Sequence, residues 1–229
     1  RHALAQPEPA LAKLTAELTH RVDTALDDRA ASDALRLLLW AGQAALETVG
    51  ARAQADRLAA AVIAEPVVAD EATLADQVII LWALAEAGAT LDVDEWLAAA
   101  AARAPELLGD GQTLLPDMRQ EPYATALLAL ARLQAAGQPV DALLTNLHAA
   151  HDAAYGLADG TYERRPDGPR SVRDGRALAG NPAMALAYLT LGDRDAAERV
   201  LEATADQTAD DPRHAGWWLA AELYTAGDD

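Results

Sequence analysis

Five of the chain's seventeen arginines, Arg164, Arg165, Arg170, Arg173 and Arg176, fall within nineteen residues, ADGTYERRPDGPRSVRDGR (Ala158–Arg176). Guanidinium forks fit carboxylates, phosphates and sugar hydroxyls with paired hydrogen bonds. Tyr162 beside them can stack on a sugar face. The same arginines can instead pair with Asp159, Glu163, Asp167 and Asp174, which would tie the segment down without a ligand. Functional side chains concentrate on loops carried by a rigid scaffold. The expected ligand contacts are therefore Tyr162, Arg164, Arg165, Arg170, Arg173 and Asp174, with Asn181, His214 and Trp217 at the starts of adjoining helices.

Other residue types narrow the chemistry. Glycosidic hydrolysis needs two carboxylates facing across a bond, and Asp117, Glu121, Asp159, Asp174 and Asp211 stand near loops. In a chain with 36 acids such placements carry little weight. Epimerisation would use histidines as acid and base, and His214 beside Trp217 and Trp218 is the best placed. His148 and His151, in NLHAAHD, sit three apart on one helix. Nothing supplies a third ligand, so a surface pair is expected and no metal or other cofactor. The chain has no cysteine, which excludes disulfides, thiolate catalysis and zinc–thiolate sites within it. There is no phosphate-binding Walker loop, no dinucleotide fingerprint, no serine-hydrolase elbow and no H-E-x-x-H.

These residues must be positioned by helices. Alanine supplies 58 of 229 residues, no Phe is present, and no alternating Val/Ile/Thr run is long enough for a central strand. Five segments are apolar nearly all round: residues 33–49, 73–87, 122–136, 182–191 and 212–226. Each is followed by glycine (Gly50, Gly88, Gly137, Gly192, Gly227), the residue that accepts the left-handed conformation ending a helix. Three open on Pro in the first turn: Pro122, Pro182 and Pro212. Amphipathic segments alternate with them, over about 9–26, 52–64, 93–107, 140–154 and 194–208. The alternation predicts an inner and an outer layer of about ten helices. Four of the five tryptophans (Trp40, Trp82, Trp217 and Trp218, but not Trp96) lie on inner helices, as bulky core fillers or as a cavity lining.

The terminal glycines are 38, 49, 55 and 35 residues apart, so no fixed repeat holds. The extra length twice follows an outer helix and precedes an inner one, at LGDGQTLLPDMRQE (Leu108–Glu121) and at the arginine stretch. Both insertions contain Asp-Gly, the dipeptide of tight hairpins, and both are expected at one rim, above the N-termini of the inner helices.

Inner and outer helices joined by hairpins at one rim resemble an α/α toroid, the scaffold of six-hairpin glycosidases and N-acylglucosamine 2-epimerases. DEATLADQVIILWALAEAG (Asp70–Gly88) and DGTYERRPDGPRSVRDGRALAGNPAMALAYLTLGDRDAAERVLEA (Asp159–Ala203) are similar to the helical C-terminal region of thioredoxin-domain proteins of the YyaL and spermatogenesis-associated-protein-20 kind. These stretches cover about a third of the chain. Pro182 follows Asn181 where that family carries a small or aliphatic residue, and the family's thioredoxin domain is absent. The resemblance implies a single all-α domain, a toroid or incomplete toroid of about five hairpins.

The expected function is binding of a carbohydrate or other polar small molecule at the rim. The alternatives are a helical-repeat scaffold for a protein partner, a missing thioredoxin domain included, or a structural domain. A net charge of −18 argues against nucleic acid and anionic membrane as partners. No run of eighteen apolar residues is free of charge, so no membrane span is expected. A soluble, cytoplasmic protein is favoured. A chain opening at Arg1 reads as a processed or excised piece.

Overall fold

The computed structural model describes residues 20, 23, 24, 51–67, 74–112, 120–155, 157, 158, 161, 162 and 180–210. His20, Asp23 and Thr24 are helical. The further elements, in chain order, are α1 (Ala51–Ala64), α2 (Leu74–Leu91), α3 (Asp94–Leu108), α4 (Gln120–Ala135), α5 (Asp141–Tyr155), β1 (Leu157–Ala158), β2 (Thr161–Tyr162), α6 (Gly180–Thr190) and α7 (Arg194–Asp210). The described part is all-α apart from one short two-stranded ladder. The segments expected over 33–49 and 212–226 lie outside the described residues.

Two kinds of helix follow from two kinds of sequence. In α1 the buried residues are Ala55, Leu58, Ala59 and Val62, one stripe at helical spacing. In α3 they are Trp96, Leu97, Ala100, Arg103, Ala104 and Leu107, again one face. In α4 nine consecutive residues, Tyr123 to Ala131, are buried, and in α6 all nine from Gly180 to Tyr188. Helices α2, α4 and α6 therefore form the inner row. α4 packs against α2 on one side and α6 on the other. Each inner helix also packs on the outer helix that follows it: α2 on α3, α4 on α5, α6 on α7.

Polar pins fix this row. Arg132 Nε lies 2.8 Å from Glu86 Oε2 and joins the thirteenth residue of α4 to the thirteenth of α2. Arg103 of α3 is buried and reaches backward: its Nη1 donates to Val62 O at 3.2 Å, and its Nη2 to Glu65 O at 3.0 Å and Gln77 Oε1 at 3.3 Å. It thereby holds the C-terminal end of α1 against α2 and α3. The side chain of Gln120 touches Gly180, where an added Cβ would meet Oε1 at 2.6 Å. Near their other ends Gln134 and Leu191 line one cavity. Helices α4 and α6 therefore run in the same direction, N-terminus beside N-terminus.

Two of the three inner helices, α4 and α6, end alike. Gln138 N donates to Leu133 O at 2.9 Å and Gly137 N to Gln134 O at 2.8 Å; Asp193 N donates to Tyr188 O at 2.9 Å and Gly192 N to Leu189 O at 3.1 Å. This is the Schellman closure, and Gly137 (φ 77°) and Gly192 (φ 81°) hold the left-handed position as the sequence predicts. α2 differs. It continues past Gly88 to Leu91, the left-handed residue is Asp92 (φ 56°), and Val93 N donates to Gly88 O at 2.9 Å. Gly88 is instead a contact glycine: a Cβ there would lie 2.8 Å from Leu97 Cγ. Its lack of a side chain lets α2 and α3 approach.

The two Asp-Gly dipeptides also part company. Strands β1 and β2 pair antiparallel with Leu157 opposite Tyr162 and Ala158 opposite Thr161, a register that spans the two residues Asp159 and Gly160, themselves outside the described residues. Asp110 and Gly111 form no described strand pair. Asp110 Oδ1 accepts from Gln112 N at 2.9 Å, an Asx turn, and a Cβ on Gly111 would lie 3.0 Å from Leu143 O and Leu147 N of α5. Asn146 Nδ2 completes the junction by donating to Asp110 O at 2.8 Å.

α2 has the length and apolarity of a membrane-crossing helix despite Asp76 and Glu86; here 67% of it is buried inside the fold. Trp82 and Trp96 are both core residues, 5% and 4% exposed.

Candidate functional site

The site that the described residues form lies where α5 crosses the seam between α4 and α6. Leu127 and Gln134 of α4, five residues of α5, three of α6 and Leu191 just beyond it line a partly open cavity of about 450 Å³. Its floor is aliphatic: Leu127, Leu144, Met184 and Ala187, with Leu191 at the mouth. Leu191 is 42% exposed, the only exposed large hydrophobic among the described residues.

Three of the polar groups stand together. His148 Nε2 lies 3.2 Å from the Tyr188 hydroxyl, and the two rings meet edge to face with centroids 5.7 Å apart. Which partner donates depends on the imidazole tautomer. Asp152 follows one turn on, its Oδ2 3.8 Å from His148 Nε2. Thr145 and Gln134 complete the polar lining. Hydroxyl, imidazole and carboxylate thus form a row that can donate and accept hydrogen bonds above an apolar floor.

His151 does not line the cavity. It is fully buried, continuing the core stripe Val140, Leu144, Leu147 of the outer helix, so the expectation of a surface histidine pair is corrected. Burial holds its pKa below the ordinary histidine value. Asp152, with Oδ1 3.7 Å from His151 Nδ1, opposes that shift without reversing it. Among the described residues no three His, Asp or Glu side chains are placed to hold a metal ion.

Comparison of the chain with protein-family models, curated proteins and solved structures gives no match. The site is therefore read from its own geometry.

Of the residues singled out in the sequence, Asn181 sits in the first turn of α6 and is fully buried. Glu121 is in the first turn of α4. Tyr162 contributes its backbone to β2, which lies against α6 and α7. Arg164, Arg165, Arg170, Arg173, Asp174, His214 and Trp217 lie outside the described residues, as do Asp117, Asp159 and Asp211. Sequence reasoning noticed His148 but not its setting. The available signal was that His151, and not His148, keeps the spacing of Val140, Leu144 and Leu147, which turns His148 toward the flank of α5. Its meeting with Tyr188, forty residues away, had no sequence signature.

Proposed function

We propose that this chain is a ligand-binding helical module, its hairpins forming part of an α/α toroid of the kind the sequence resembles, and that the cavity between α4, α5 and α6 takes a small molecule with an apolar body and a hydrogen-bonding end. The observation that carries the binding reading is the cavity itself. About 450 Å³ is within the range of small-molecule sites, roughly 300–1,000 Å³, which combine an apolar lining with a few convergent polar groups. Here Tyr188, His148 and Asp152 converge and Leu127, Leu144 and Met184 supply the floor. The toroid reading is supported by the inner row α2–α4–α6, by the common direction of α4 and α6, and by the placement of both long connections before an inner helix. An amphipathic ligand suits this lining better than a free sugar, because no tryptophan is among the described residues that line it. The carbohydrate reading rests on the arginine stretch.

A thermal-shift screen of small amphipathic molecules, amino sugars and monosaccharides tests this. A ligand at one hundred times its Kd adds about 2.7 kcal/mol of stability. Ala149 is exposed and lines the cavity, so Ala149→Trp should block it at little cost to the fold. Stabilisation of the native chain that Ala149→Trp abolishes supports the proposal, and stabilisation equal in both sinks it. Leu191, exposed at the mouth, favours a second reading, a scaffold that grips an apolar side chain of a partner peptide; stabilisation by peptides alone would favour that one.

A further inference from the structure

We infer that the ligand's polar end is a cation, an aliphatic amine whose ammonium group meets Asp152 while its chain lies on Leu127, Leu144 and Met184. This rests on the cavity being a binding site and goes further by naming the ligand's charge. Among the described lining residues the one carboxylate is Asp152, its side chain 46% exposed, and neither Lys nor Arg is present. The other polar lining groups suit an N–H donor as well: the hydroxyls of Thr145 and Tyr188 and the amide oxygen of Gln134 all accept hydrogen bonds. A cleft lined by one sign of charge draws the opposite sign, and the whole chain carries −18. An anionic amphiphile would have to bring its carboxylate up to Asp152 with no guanidinium or ammonium among the described lining residues to receive it. A neutral alcohol would satisfy the hydroxyls but bring no charge opposite to that of Asp152.

Titration calorimetry with hexylamine, hexanol and hexanoate, three ligands of one chain length, reads the head group directly. Hexylamine should bind the native chain about three- to tenfold more tightly than hexanol, the scale of a partly exposed charge pair. Hexanoate should bind most weakly. The preference should shrink at high salt, vanish in Asp152→Asn and persist in Asp152→Glu. The comparison of three ligands on the unaltered chain stands even where a substitution at Asp152 disturbs the neighbouring histidines. Equal binding of amine and alcohol, or tighter binding of hexanoate, overturns the cation and leaves the cavity reading intact. Amine binding that Ala149→Trp does not reduce places the amine elsewhere and overturns the inference. No heat with any of the three overturns both.

Discussion

His148 Nε2 and the Tyr188 hydroxyl are 3.2 Å apart, and they join an outer helix to an inner helix in the lining of the cavity. Tyr188 is 8% exposed and its ring is edge-on to the imidazole. Tyr188→Phe keeps the ring and deletes the hydroxyl. It should cost about 0.5–1.5 kcal/mol, the net worth of one hydrogen bond, and weaken ligand binding as well. Urea unfolding and calorimetry on the same variant measure the two effects. A variant as stable as the native chain would show that the pair contributes nothing.

Helix ends give a paired prediction. Asp92 holds φ 56° at the close of α2, where glycine is easier. Asp92→Gly should stabilise the chain by up to about 1 kcal/mol. Gly137→Ala, with open space around the new methyl, should cost about 1 kcal/mol from backbone conformation alone. Gly88→Ala should cost more, about 1–3 kcal/mol, because the methyl meets Leu97 and overpacking outweighs the gain in helix propensity. If Gly88→Ala raises the melting temperature, the close α2–α3 approach is wrong.

Gln120 is 1% exposed, and neither its Oε1 nor its Nε2 has a hydrogen-bond partner among the described residues. An unpaired buried amide costs about 1–3 kcal/mol. Gln120→Met, of similar volume, should therefore stabilise the chain by roughly 1 kcal/mol. Loss of stability in thermal unfolding would show that the amide is satisfied by a group beyond these residues.

The buried His151 sets a pH dependence. Desolvation lowers its folded pKa below the ordinary histidine value of about 6.5, against the opposing pull of Asp152. Below about pH 6.5 the unfolded chain takes up a proton at this side chain that the folded chain resists, so the unfolded state binds more protons and stability rises with pH. Acidification from pH 7.5 toward 5.5 should thus lower the melting temperature, the loss beginning near the unfolded pKa and ending at the depressed folded one. His151→Leu should flatten this part of the profile. An unchanged slope in that variant would mean that other groups cause it.

The helical alternation was legible because it depends on local pattern. Apolar stretches such as 123–131 and single stripes such as Ala55, Leu58, Ala59 and Val62 announce burial on all sides or on one. Gly137 and Gly192 were read correctly as helix ends because nothing else demanded a glycine there. Gly88 was misread because its reason is a neighbour, Leu97, on another helix. Asp92 takes the left-handed turn that glycine was expected to take. The cavity was illegible for the same reason: Leu127, His148 and Tyr188 come together only when three helices pack, and each has an ordinary local role.

Met184 allows the most direct test of the central claim, that the space between α4, α5 and α6 is a binding site. The chain has two methionines, Met118 and Met184, and Met184 lines the cavity. With methyl-¹³C methionine, a ligand drawn from the screen should shift the Met184 methyl resonance saturably in the native chain and leave it unmoved in Ala149→Trp. A ligand that binds by calorimetry while the Met184 resonance stays fixed would contradict the account.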